Sequence, residues 1–127
     1  MRQLGLDQGY PLAWQNHPCS KWATSNSVRW RWLRQLGLEL CKEYTYRYGR
    51  VHTTQALIEN AIYPVFGGCW ITPNLEPFEQ CMLPQYKCDD VVTAYRNYYI
   101  GAKQHLLSYT RRGVPFWLSE IGLGVQK

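Results

Sequence analysis

The feature that most constrains this chain is an apolar residue at every fourth position, from Val28 through Trp32, Leu36 and Leu40 to Tyr44. A repeat of four follows one face of an α-helix of roughly 3.6 residues per turn, and Leu33 widens the stripe. The pattern predicts one long helix from about Ser20 to Tyr48. Gly37, inside it, suits the close approach of another helix. Gly49 stands where a left-handed residue ends a helix.

The remaining chain is read around that helix. Gly5, Gly9, Pro11 and Pro18 make residues 1–19 irregular. Thr53 or Thr54 is placed to cap a short helix through about Ile62, which Pro64 and Gly67-Gly68 stop. Pro73, Pro77 and Pro84 exclude much regular structure from 63–88, so a long Pro/Gly-rich loop is expected there. Asp89 or Asp90 caps a third helix from about Val91 to Tyr109, ahead of Arg111-Arg112-Gly113. The apolar tail Val114 to Leu118 is suited to docking on the domain or on another subunit. No strand pair, repeat or coiled coil is visible. The expected fold is therefore mainly α, a compact single-domain helical bundle over residues 1–127.

Composition narrows the function. Six Trp, ten Tyr and three Phe make 15% of the chain aromatic, while charged residues reach only 18% and the net charge is +5. With a pI near 9.0, the chain favours anionic partners, and phosphate is a common one inside cells. The aromatic excess also predicts a homo-oligomer, since Trp and Tyr are enriched at interfaces. No stretch is apolar for long enough to cross a bilayer, and the opening residues lack the apolar core of a signal peptide. Five cysteines without a close CxxC pair suit free thiols in a reducing cytosol. The spacings His17-Pro18-Cys19 and Cys81 to Cys88 match no structural zinc pattern, so no metal site and no cofactor are expected.

Three constellations carry possible chemistry. In Glu43-Tyr44-Thr45-Tyr46-Arg47-Tyr48-Gly49-Arg50-Val51-His52, followed by Thr54 and Gln55, cations and tyrosines crowd one helix end. Guanidinium groups take phosphate through paired hydrogen bonds, and tyrosine faces stack on bases. Free amides of a helix opening at Thr53 would add an anion site. Alternatively, Tyr44 and Tyr48 are core and the arginines complement the helix dipole. In the second constellation, Arg96, Tyr99 and Lys103 fall on one helical face, with Asn97 beside them to read a base edge. Tyr95 and Tyr98 turn toward burial. The third, Asn16-His17-Pro18-Cys19-Ser20-Lys21-Trp22, opens the long helix. His17 there is either a ligand or a structural hydrogen bonder. Arg29, Arg31 and Arg34, with Trp30, are expected largely on the solvent side.

Catalytic signatures are poor: GxxxxGK[ST], GxGxxG and GxSxG are all missing. Only Glu39 and Glu43 are spaced to present paired carboxylates, and such helical pairs are usually surface residues. No residue is assigned a catalytic role.

Taken together, the constellations resemble a family of small phage and bacterial proteins. The shared pattern comprises Asn16-His17-Pro18-Cys19 with Trp22, Trp32-Leu33, Glu43-Tyr44-Thr45, Arg47-Tyr48-Gly49, His52 and Gln55. It continues through Pro77-Phe78, Gln80, Met82, Pro84 and Tyr86-Lys87, and closes on Ala94 to Gly101 with Lys103. More distantly the family is similar to the pyrimidine-dimer DNA glycosylases, which are compact and all-helical. Those enzymes use the amino group exposed by removal of Met as nucleophile. Here Arg2 is expected to keep Met1 in place, which argues against that chemistry. An N-terminal His-, Lys- and Met-rich segment of longer members, and an Arg-Glu-Ser…Asn pattern around Thr24 to Arg29, have no counterpart in this chain.

The expected function is non-enzymatic: a cytoplasmic phage-type protein that sequesters a signalling nucleotide of bacterial anti-phage defence. His17, Trp22, Arg47, Arg50, His52, Gln55, Arg96, Asn97, Tyr99 and Lys103 are the expected binding residues. Arg47, Arg50, His52, Arg96 and Lys103 would converge on the phosphates, with Trp22 and Tyr99 stacking on the base. The alternatives are a DNA-binding repair enzyme of the glycosylase type and an oligomeric interaction protein.

Overall fold

The computed structural model describes residues 10–11, 13–61 and 75–119. It is mainly α, with no strand among the described residues. The helices are α1 (Pro18–Thr24), α2 (Ser27–Tyr48), α3 (Gln55–Glu59), α4 (Val91–Ala102) and α5 (Phe116–Ser119). Single 3-10 turns at Pro84–Tyr86 and Gln104–Leu106 flank α4. Contacts group the chain into two compact units, Met1–Glu79 and Gln80–Lys127. No helix among the described residues is long and apolar enough to cross a membrane.

In the first unit the expected single helix 20–48 is two helices. Pro18 opens α1 at a position where no amide is needed. At its end Thr24 and Ser25 donate their hydroxyls to the carbonyls of Ser20 and Trp22, at 2.9 and 2.8 Å. Asn26 is extended (φ −158°, ψ 168°), and its side-chain oxygen accepts from Arg29 N at 3.0 Å. A side chain that caps a new helix necessarily ends the old one, and that competition places the break. Gly49 closes α2 in the left-handed conformation, φ 68°, as its position predicts.

The repeat of four marks the helix correctly, but its stripe is only partly covered: Val28, Trp32 and Tyr44 are half-buried. Leu33, Leu36 and Leu40 are 44, 39 and 61% exposed, whereas Cys41 is buried. The reason is that α2 meets its neighbours through Trp32 of the repeat and through positions outside it. Gly37 faces α3 so closely that a Cβ there would lie 3.1 Å from Ile58 Cδ1, the close approach its presence suggests. Trp32 stacks on Phe78 at 5.5 Å, and Trp22 meets both rings edge-on at 5.7 and 6.4 Å. Trp22 and Ala23 are the buried residues of α1.

In the second unit Asp90 caps α4, accepting from Thr93 N at 2.8 Å and from its hydroxyl at 2.6 Å. Val91, Ala94 and Leu118 are the buried residues. The loop before α4 is closed by Gln80, whose amide donates to Cys88 O at 2.6 Å and accepts from Cys88 N at 3.2 Å. The third helix, expected to reach Tyr109, stops at Ala102. Lys103 leaves the helical region (φ −119°, ψ 11°), and i to i+3 bonds from Leu106 and Leu107 take over. Of the expected loop 63–88, residues 75–88 are irregular apart from the turn at Pro84–Tyr86, and 63–74 lie outside the described residues.

Candidate functional site

The left-handed turn at Gly49 folds the chain back on the last turn of α2, so Arg50 and His52 both meet Tyr44. Arg50 Nε donates to Tyr44 Oη at 3.0 Å, and its guanidinium carbon lies 5.8 Å from the Tyr44 ring centroid. His52 stands perpendicular to Tyr44 at 4.8 Å, and Tyr48 packs on it at 4.9 Å. His52 Nδ1 accepts from Thr54 N at 3.2 Å, so the neutral ring carries its proton on Nε2. Arg50 and Tyr48 are exposed and His52 is half-buried. Tyr44 is thus the hub of a cluster offering a guanidinium edge, an imidazole N–H and an exposed tyrosine ring. The two terminal nitrogens of Arg50 make no hydrogen bond among the described residues, where only Nε is engaged.

Other residues of the first constellation do structural work. Arg47 Nε is paired with Glu43 Oε1 at 2.7 Å, one helical turn away. Gln55 donates to Glu59 at 2.8 Å along α3. The expected anion site at the start of the second helix is not formed. That helix spans five residues, Thr54 makes no side-chain cap, and the Thr54 and Gln55 amides are taken by His52. Glu39 is likewise occupied, by Lys42 at 2.7 Å and Gln35 at 2.9 Å. The Lys42 ammonium, first by its hydrogen bond and then by its charge, holds the Glu39 carboxyl below its ordinary value.

At α1, His17 is the helix cap, its Nδ1 accepting from Cys19 N at 3.2 Å, which is the structural role open to it. Trp22 is 6% exposed beneath Trp32, Phe78 and the Arg29 guanidinium, which lies 5.3 Å from its ring centroid. A ring so covered has no face on which a base can stack, so the expected stacking role is corrected to a core role. Of the arginines of early α2, Arg31 is exposed as expected, whereas Arg29 and Arg34 are half-buried and partnered. Arg29 is paired with Glu76 and with Ser25 Oγ. Arg34 donates to the carbonyls of Ile58 and Glu59 at 3.1 and 2.9 Å, completing the C-terminus of α3. Arg34 also lines an open groove of about 400 Å³ with Trp30, Arg31, Gln35 and Ala61.

In the second unit, Arg96 and Lys103 lie against different rings. The Arg96 guanidinium lies 5.6 and 5.7 Å from the ring centroids of Phe116 and Trp117, whereas the Lys103 ammonium lies 5.4 Å from that of Tyr98. Tyr98 also packs on Tyr86 at 5.4 Å and on Tyr99 at 6.4 Å. Asn97 and Tyr99 are exposed. Of the five cations expected on the phosphates, Arg47, Arg50 and His52 belong to the first unit and Arg96 and Lys103 to the second.

Sequence reasoning missed Phe116 and Trp117 as partners of Arg96, and Glu76 as the partner of Arg29. The only local signal for the first pair is two aromatic residues directly after Pro115. Nothing local marks the second, because the residues are 47 positions apart.

No family model, curated protein or solved structure matches this chain.

Proposed function

We propose that the chain is a non-enzymatic binder of a phosphate-bearing small molecule, in the first instance a nucleotide, and that Tyr44, Tyr48, Arg50 and His52 hold it. The observation that carries this reading is the Arg50–Tyr44 hydrogen bond, with Arg50 Nε fixed by Tyr44 Oη at 3.0 Å. An arginine tethered through Nε keeps its outer N–H edge for two phosphate oxygens. The Nε2–H of His52 supplies a further donor on the same hub, and the Tyr48 ring a surface for a base. The nearest carboxylate in sequence, Glu43, is held by Arg47, which favours holding over chemistry.

The finer identity follows the motif resemblance: a phage protein that sequesters signalling nucleotides of bacterial defence. The test is to incubate the protein with cyclic and linear signalling nucleotides and, separately, with ultraviolet-damaged DNA, then to denature it and identify what is released. Intact nucleotide supports sequestration. Strand cleavage at damaged sites would put the glycosylase reading in its place. Arg50→Ala should weaken nucleotide binding by about 1.5–3 kcal/mol, the scale of a charge-assisted hydrogen bond, without unfolding the protein. Exposed Leu33, Leu36 and Leu40 on α2 support a homo-oligomer. Light scattering giving a 15.0 kDa particle at micromolar concentration would refute that part.

A further inference from the structure

The tail of the second unit carries a contact that the Tyr44 cluster does not explain. Leu118 is fully buried and anchors α5. That anchoring sets the two preceding residues, Phe116 and Trp117, against the Arg96 side chain of α4, at 5.6 and 5.7 Å from ring centroid to guanidinium carbon. Arg96 is half-buried, yet among the described residues it makes no hydrogen bond and no ion pair. Asp90, the acid whose charge reaches Arg96, is instead committed to Thr93.

A half-withdrawn guanidinium is costly to leave without acceptors. The two ring contacts offset part of that cost by cation–π attraction, but they give the N–H donors no oxygen acceptor. The rings therefore restrain the guanidinium and leave its fork for an anion. That is the arrangement required for bidentate capture of two oxygens of one anion. Phe116, 65% exposed, gives an adjoining aromatic surface, and exposed Asn97 follows Arg96 on α4.

We infer that Arg96, ordered by Phe116 and Trp117, is an oxyanion site of its own, suited to a phosphate monoester that carries an aromatic group. The phosphate takes the guanidinium edge and the aromatic group lies on Phe116. This inference does not rest on the function proposed for the Tyr44 cluster.

The experiment titrates the full chain with phenyl phosphate and, in parallel, with inorganic phosphate, following the Arg96 Nε–H resonance by nuclear magnetic resonance. In the wild type that resonance should shift saturably, and phenyl phosphate should bind more tightly than inorganic phosphate. Arg96→Lys keeps a cation against the rings but loses the fork, and should weaken phenyl phosphate by about tenfold. Phe116→Ala should weaken phenyl phosphate while leaving inorganic phosphate unchanged. An Arg96 resonance that does not move at millimolar phenyl phosphate overturns the inference, and this readout needs no variant to fold. Equal binding by Arg96→Lys and wild type also overturns it.

Discussion

Tyr86, in the turn before α4, lies against Gly101 in the last turn of that helix, where an added Cβ would sit 2.9 Å from both Cζ and Oη of the ring. Glycine lowers helix propensity, and its place here is explained by the ring that occupies the space of a side chain. The same ring packs on Tyr98, so it is held from two sides. Gly101→Ala should therefore destabilise the protein by about 1–3 kcal/mol, the usual cost of overpacking. Chemical denaturation measures it. In the Tyr86→Ala background the added methyl should cost much less, and simple additivity of the two changes would contradict the contact.

Gly49 sets the approach of Arg50 to Tyr44 through its conformation, not through crowding. Its φ is 68°, and nothing lies within 4 Å of where a Cβ would be. Gly49→Ala should cost roughly 1 kcal/mol from the left-handed strain alone, and Gly49→Asn less, since Asn tolerates that region. Thermal melts of the two variants, ranked in that order, check it. Equal melting would show that the turn relaxes freely.

Asn26 divides the first unit's long apolar stretch into α1 and α2. Asn26→Ala removes the acceptor for Arg29 N and should cost about 1 kcal/mol. Asn26→Asp should be close to neutral, because a carboxylate also caps and favours a helix N-terminus. Urea midpoints at equal slope are the measurement.

Asp90 gives a pH dependence with a definite sign. Its carboxyl is held below its ordinary value, first by the Thr93 hydroxyl and then by the Thr93 amide. A carboxyl with a depressed native pKa contributes stability that is fully present above the unfolded value, about 3.9, and is lost as pH falls through the lowered native value. Asp90→Ala should melt below the wild type at neutral pH, and the difference should shrink as the pH falls below about 4. A difference that stays constant from neutral pH into that acid range would show that the cap is not ionic.

The helices themselves were legible because their signals are local. Gly49 after an apolar repeat, Asp90 before an apolar run, and Pro and Gly through the intervening loop act over a few residues. Helix ends set by competition were less legible. Asn26 reads as one more polar residue in a helix until its side chain is seen accepting from Arg29 N, and Lys103 ends α4 with no breaker beside it. The grouping of Arg50 and His52 near Tyr44 was readable for the same local reason, as all three lie within nine residues of one turn.

Tertiary packing decided which faces and which charges were used. Leu36 and Leu40 belong to the most regular apolar stripe in the chain, with Leu33 beside it, yet it is Trp32 and Tyr44 of that stripe that make ring contacts, and α3 meets α2 at Gly37. Arg29, Arg34 and Arg96 look alike in sequence. Glu76 takes the first, the end of α3 takes the second, and two tail rings take the third. A periodic pattern specifies that a helix has a face, but burial depends on what else arrives there. A guanidinium is equally able to pair, cap or stack, so its partner is settled by residues 20 to 47 positions away, which no local pattern encodes.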